Sequence, residues 1–132
     1  MKGYKTNIEK ATLDNENYRK VVYTSHHFQL VLMSLLPGEE IGMEVHAGND
    51  QFFRVEQGHG LCIIDDKQYE LSADDIVVIP AGARHNIINT DNMTSLKMYT
   101  IYAPPHHKDG IVQQTRKEAE ASMEAFDGVT SE

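Results

Sequence analysis

From residue 19 to residue 102 the chain repeats one pattern, a short run of apolar and β-branched residues followed by a cluster of turn formers. Runs at residues 19–24, 28–36, 51–56, 60–65, 68–71, 76–79, 85–89 and 95–102 have the length and the Val, Ile, Leu, Phe and Tyr content of strands. Pro37-Gly38 and Asp65-Asp66-Lys67 read as tight turns, which let consecutive strands pair antiparallel. Short strands at this spacing predict an all-β sandwich or barrel, and a jelly roll satisfies the constraints. There is no repeat of fixed period and no low-complexity tract, so internal duplication is not expected.

The pattern changes at both ends. Beyond Pro104-Pro105, Thr115 and Glu118 have the spacing of a capping box, in which hydroxyl and carboxylate satisfy the first free N–H groups of a helix. This helix is predicted to run toward Phe126 and to stop at Gly128, with Ala119, Met123 and Phe126 forming an apolar face that lies on the barrel or on a partner subunit. Residues 7–17 are patterned more weakly and read either as a further strand or as an arm exchanged in a dimer.

A chain of 132 residues has the size of one domain with one core. We expect a barrel over about residues 19–103 and a tail with its helix over about 104–128. Hydrophobic residues at 40% and charged residues at 24% place the chain among globular rather than disordered proteins. The 12 basic and 20 acidic residues give a net charge of -8, which repels the phosphates of nucleic acid and of anionic lipid, so neither is an expected partner. No apolar run approaches a membrane span, and the start MKGYKTNIEK lacks the hydrophobic stretch of a secretory signal; a cytoplasmic location is the expectation. The one cysteine, Cys62, lies among Leu61, Ile63 and Ile64 and reads as a small buried apolar residue.

Two blocks carry the chemistry. In PGEEIGMEVHAGNDQFFRVEQGHG, residues 37–60, strand alternation turns Glu44 and His46 to the same side, with Cα atoms roughly 6–7 Å apart and both side chains able to reach one ion. The turn formers at residues 47–50 then return the chain with Gln51, whose amide offers a carbonyl oxygen. In IVVIPAGARHNIIN, residues 76–89, an apolar strand stops at Pro80-Ala81-Gly82 and the next opens near His85. Proline's fixed φ and glycine's freedom at positive φ set the angle at which that imidazole re-enters the sheet. Arg84 has planar donors suited to a carboxylate or phosphate but is expected to point outward. His106-His107 look like a ligand pair but stand in a loop, where solvent or a dimer contact is expected; His59 and His26-His27 carry no motif support.

The two blocks together resemble the signature motifs of the cupin superfamily. The first motif is a Gly, five residues, His-x-His, three or four residues, Glu, six residues and Gly; the second contains Pro-x-Gly, two residues, His, three residues and Asn. Gly38, His46, Gly58, Pro80, Gly82, His85 and Asn89 match that spacing. Three positions depart from it: Glu44 stands for the first His, Gln51 for the acidic ligand, and Asp74 for the Gly that usually begins the second motif. The last of these changes only a turn.

The resemblance implies a cupin-type double-stranded β-helix, a jelly-roll barrel, similar to small single-domain RmlC-like, mannose-6-phosphate isomerase-like cupins. It implies one divalent metal ion held by Glu44, His46, Gln51 and His85. Two imidazoles with carboxylate and amide oxygens suit a borderline ion such as Zn, Mn, Fe, Ni or Co. Met33, Leu35, Phe53, Tyr99 and Ile101 are expected to line a pocket in the barrel, with Tyr99 as the one proton carrier that strand parity suggests. The leading functional expectation is isomerisation, epimerisation or cyclisation of a small, oxygen-rich, sugar-like substrate, with the metal as Lewis acid. A non-haem dioxygenase is a second reading, because two histidines and a carboxylate also make that site. A non-catalytic sensor of small molecules or carbohydrates is a third, because no general base stands out. A homodimer is the default assembly.

Overall fold

In the computed structural model, which describes residues 1–132, a short helix α1 (Ile8–Asp14) precedes β1 (Arg19–Thr24), β2 (Gln29–Leu35), β3 (Glu44–Val45) and β4 (Asp50–Gln57). Then follow β5 (His59–Ile64), β6 (Lys67–Ser72), β7 (Ile76–Ile79), β8 (Arg84–Asn89) and β9 (Leu96–Ala103). The tail carries β10 (Val112–Gln113) and helix α2 (Arg116–Ala121). The strands make a six-stranded sheet in the order β10-β1-β2-β9-β4-β7 and a four-stranded sheet in the order β3-β8-β5-β6, all pairs antiparallel. Neighbours far apart in sequence, such as β2 with β9 and β5 with β8, give the long crossovers of a jelly roll.

Alternation fixes what fills the space between the sheets. Val31, Met33 and Leu35 from β2, Phe53 and Val55 from β4 and Met98 and Tyr102 from β9 meet Cys62, Leu71 and Ile87 from the smaller sheet in one buried cluster. Burying each large apolar side chain contributes roughly 1.5–3 kcal/mol. Two departures from simple strand chemistry shape the turns. Gly58, at φ +98, brings its backbone so close to β9 that a Cβ there would stand 2.8 Å from Ser95 O. Asp74 takes φ +76 itself, so the aspartate adopts the left-handed conformation of the glycine it replaces and pairs with Arg54 Nη2 at 2.9 Å.

The ends differ from the sequence expectation. Residues 7–17 form neither a strand nor an exchanged arm: they contain α1, which Asn7 Oδ1 caps by accepting from the Lys10 N–H at 3.0 Å. The helix lies on the outer face of the larger sheet, where Thr12 is fully buried and Lys97 Nζ of β9 donates to Leu13 O and Glu16 Oε1, both at 2.7 Å. Seven residues are too few to hold a helix by themselves, so packing creates it and its apolar period is faint. At the other end the capping box forms, with Thr115 Oγ1 accepting from Glu118 N at 3.1 Å and Glu118 Oε2 from Gln114 N at 2.8 Å. Yet α2 stops at Ala121, short of Phe126 and Gly128. Backbone partners elsewhere end it: Phe126 N–H donates to His106 O at 3.1 Å and Ser131 N–H to Thr24 O at 2.9 Å. Ala119 packs on the core while Met123 is exposed. No helix is long and apolar enough to cross a membrane.

β9 also corrects the expected pocket lining. Met33, Leu35 and Phe53 point inward but are fully buried in the packed core and line no cleft beside Glu44, while Tyr99 and Ile101 have the opposite parity to the inward Met98, Thr100 and Tyr102. They lie on the outer face in register with Leu32 and Leu30 of β2 and Arg54 and Phe52 of β4. A cross-strand apolar row, Leu30-Ile101-Phe52-Val78, runs over that outer face.

Candidate metal centre

Glu44 and His85 are direct cross-strand partners between β3 and β8, which brings their side chains together on the inner side of the smaller sheet. His46, two residues beyond Glu44, shares its face, and its carbonyl is held by the Gly82 N–H of the Pro-x-Gly turn at 2.9 Å. Three donor atoms converge: Glu44, His46 and His85 each offer one ligand atom, all within 4.8 Å of one another. Gln51 reaches the interior from the opposite sheet, on β4 beside Tyr102, whose ring centroid is 5.6 Å from that of His46. Asp50 is exposed and accepts from the Ala81 N–H at 2.9 Å.

The hydrogen bonds assign the proton on His85. Its Nδ1 is 3.0 Å from Ala83 O, and a carbonyl can only accept, so the hydrogen sits on Nδ1 and the Nε2 lone pair faces the centre. There it is buried without a hydrogen-bond partner, as is Gln51 Oε1, whose amide nitrogen donates to Thr100 Oγ1 at 3.0 Å. Buried acceptors left unpaired are costly. For bonds of about 2.0–2.2 Å to one ion, neighbouring ligand atoms stand roughly 3–3.5 Å apart. Glu44 Oε1 is 3.1 Å from His46 Nε2 and 3.6 Å from His85 Nε2. The spacing of Glu44, His46 and His85 therefore fits a divalent cation, which these three residues could hold.

Charge states agree with that arrangement. Burial on its own would raise the Glu44 pKa, but the hydrogen bond with His46 and the nearby His85 imidazole outweigh it and hold the carboxyl well below the usual carboxylate range. Burial likewise works against a charged His85, while Glu44 and the Ala83 carbonyl overcome it and raise the imidazole. A proton and a metal ion thus compete for one lone pair.

The structure adds residues that the motifs do not contain. The His106-His107 loop does not stand out in solvent. Fully buried Gln29 clamps it, its Oε1 accepting from His107 N at 2.9 Å and its Nε2 donating to His107 O at 2.7 Å. The His106 ring lies 4.3 Å from that of His46, centroid to centroid, and His107 Nε2 is 3.2 Å from the Tyr102 hydroxyl. Burial depresses both imidazoles, His106 to about 4 and His107 to about 2, and it keeps the Tyr102 phenol protonated. A cleft of about 270 Å³ opens over the centre, lined by Glu44, His106 and His107 together with Arg19, Tyr18 and Gln113. A wider hollow of about 720 Å³ beside β5 and β6 contains none of the three metal ligands. Arg84, His59, His26 and His27 are exposed, and Cys62 is buried with its thiol pushed up to about 11.

The Cupin domain family matches residues 31–102, the stretch that holds both motif blocks and every candidate ligand. The chain belongs to the cupin family. This cupin is 44% identical over 127 residues to the uncharacterized protein YrkC of Bacillus subtilis, covering 92% of this chain and 68% of that one. It is 43% identical over 122 residues to the uncharacterized protein L612 of Acanthamoeba polyphaga mimivirus, covering 90% and 76%. Among solved structures, that of BH2720 from Bacillus halodurans superposes with a TM-score of 0.89 at 42% identity, covering 92% of this cupin and 96% of that chain.

Proposed function

We propose that this cupin binds one divalent metal ion through Glu44, His46, His85 and Gln51. With it bound, the cupin acts on a small oxygen-rich, sugar-like substrate by isomerisation, epimerisation or cyclisation. The observation that carries the reading is the buried, partnerless Nε2 of His85, its tautomer set by Ala83 O and its lone pair aimed at Glu44 and His46. A bound ion would supply Lewis acidity toward neighbouring substrate oxygens. The chain supplies the rest. Glu44 keeps its negative charge, the Ala83 carbonyl orients His85, and the cleft offers a volume of about 270 Å³ beside them. That volume equals roughly nine waters at about 30 Å³ each, room for a small molecule.

His106 takes the role first sought at Tyr99. It lines the cleft beside Glu44, and burial keeps it neutral above about pH 4, so its imidazole can accept a substrate proton at neutral pH. Tyr99 faces away, its ring 6.2 Å from that of Phe52. The test is metal analysis of untagged protein, followed by sugar-conversion assays on reconstituted wild type and His106→Gln. Bound metal, turnover, and loss of turnover without loss of metal in the variant support the reading; protein that takes up no divalent ion defeats it. The two-histidine, one-carboxylate set also favours a second reading, an iron-dependent dioxygenase. Oxygen consumption by the iron-loaded protein would decide for it.

A further inference from the structure

Arg19 is the one arginine or lysine among the residues lining the cleft, and the metal centre leaves it unused. It opens β1 with the parity of buried Val21 and is itself only 8% exposed. Its guanidinium lies 5.3 Å from the Tyr18 ring centroid. Its protein acceptor is a neutral one: Nη1 donates to Gln113 Oε1 at 2.7 Å, across the β1–β10 pairing, while Nε is buried with no partner. Buried charges are ordinarily paired, because an unpaired one is costly.

The neighbouring acids are already committed. Glu44 serves His46 and His85, Glu120 pairs with Arg116 Nε at 3.0 Å, and Glu124 stands 4.0 Å from Lys108 Nζ. None lies within ion-pair distance of Arg19. Gln113 occupies Nη1, so the side of the fork formed by Nε and Nη2 has no protein acceptor, and that side matches the two oxygens of a carboxylate. Arg19 lines the same cleft as Glu44, His106 and His107. Of the three carboxylates that line the cleft, Glu44 faces the two imidazoles and Glu120 and Glu124 have cations of their own, which leaves the guanidinium without an anionic partner.

We infer that Arg19 binds the carboxylate of the small molecule this cleft accepts, so that the ligand is a hydroxy- or oxo-carboxylic acid and not a neutral sugar. The inference rests on the proposed use of this cleft as the substrate site. A carboxylate is favoured over a phosphate because a single guanidinium edge is on offer, with no lysine among the residues lining the cleft.

The probes are lactate and its uncharged isostere lactamide, titrated by calorimetry into chelator-treated and zinc-loaded protein, with inorganic phosphate as the competing anion. Wild type should bind lactate at least tenfold more tightly than lactamide. Arg19→Met should bring that ratio to about one, leave zinc uptake unchanged and raise the thermal midpoint, since an unpaired buried charge has gone; an arginine with a structural role only would lower the midpoint. Gln113→Glu supplies an internal carboxylate against Nη1 and should also collapse the ratio, with the arginine retained. Equal affinity for the two probes in wild type, an unchanged ratio in both variants, or tighter binding of phosphate than of lactate overturns the inference. Protein that takes up no zinc but keeps its preference for lactate instead sinks the metal reading and leaves the role of Arg19 standing.

Discussion

Replacing Glu44 by Gln keeps the shape of the side chain and removes the one negative charge among the candidate ligands. The consequence can be sized through the stability a bound ion confers. A ligand at a thousand times its Kd stabilises the native state by about 4.1 kcal/mol. Unfolding entropy of about 2.1 cal/mol/K per residue gives roughly 0.28 kcal/mol/K for this length, so saturating metal should raise the midpoint by about 15 °C. Loss of supporting groups around metal sites costs 10–100-fold in affinity, and a directly bound carboxylate belongs at or above the upper end of that range. At the same metal concentration a hundredfold weaker site retains about 1.4 kcal/mol, a shift of roughly 5 °C.

The assay is differential scanning calorimetry of chelator-treated protein at pH 7.5 with and without zinc, with Glu70→Gln on the exposed edge of β6 as the control. That pH matters. The raised His85 contributes stability that is present below the unfolded value of 6.5 and is lost as pH rises through its folded value, so the metal-free baseline of Glu44→Gln shifts least under mildly alkaline conditions. A zinc shift in Glu44→Gln equal to wild type would refute the placement of the ion. A wild type that shows no shift with Zn, Mn, Fe, Ni or Co would refute the site.

Acid should destabilise the protein before ordinary carboxylates titrate. His107 is held neutral down to about pH 2, so between pH 6.5 and that value the unfolded chain binds the proton first and stability falls as pH falls, by about 1.4 kcal/mol per pH unit for this group. His106 adds in the same direction and His85 opposes it. Urea midpoints of His107→Gln, which can still meet the Tyr102 hydroxyl, should depend less steeply on pH between 6.5 and 4.5 than those of wild type; parallel profiles would contradict the assignment. Gly58→Ala should cost about 2–4 kcal/mol, combining a left-handed backbone with a clash against Ser95 O, as read by chemical denaturation. Sedimentation should show a homodimer in which the Leu30-Ile101-Phe52-Val78 row is covered, and Ile101→Lys should release monomers; a monomeric wild type would defeat this.

The barrel and the Glu44-His46-His85 cluster were legible because both are written in short-range spacing. Alternation at Glu44, Val45 and His46 fixes two donors on one face, and the Pro80-Ala81-Gly82 turn places His85 opposite Glu44. Parity failed on β9 because that strand is apolar on both faces, Met98 and Tyr102 filling the core while Tyr99 and Ile101 cover the outside. The His106-His107 loop was illegible for another reason: the residue that pins it, Gln29, lies 78 positions earlier than His107, and nothing local marks the pair. Arg19 could have been suspected from its parity with Val21, yet a terminal strand arginine reads as solvated until Gln113 and Tyr18 are seen to enclose it.

The departures from the cupin motif also make sense once the centre is treated as a single charge. The motif supplies three imidazoles and one carboxylate; this chain supplies Glu44, His46, Gln51 and His85, again with one carboxylate. The negative charge has moved from the β4 position to β3, across the barrel, and an amide stands where it was. On β4 a carboxylate would be buried beside the protonated Tyr102 and face desolvation with few donors. On β3 it is partly open to solvent and lies against two imidazoles. The exchange thus keeps the charge that an ion would see while turning the anionic side of the centre toward the cleft, the side that faces Arg19. A centre with this polarity would favour a ligand whose own negative charge is taken up by the guanidinium, with its neutral oxygens directed to an ion held by Glu44, His46 and His85.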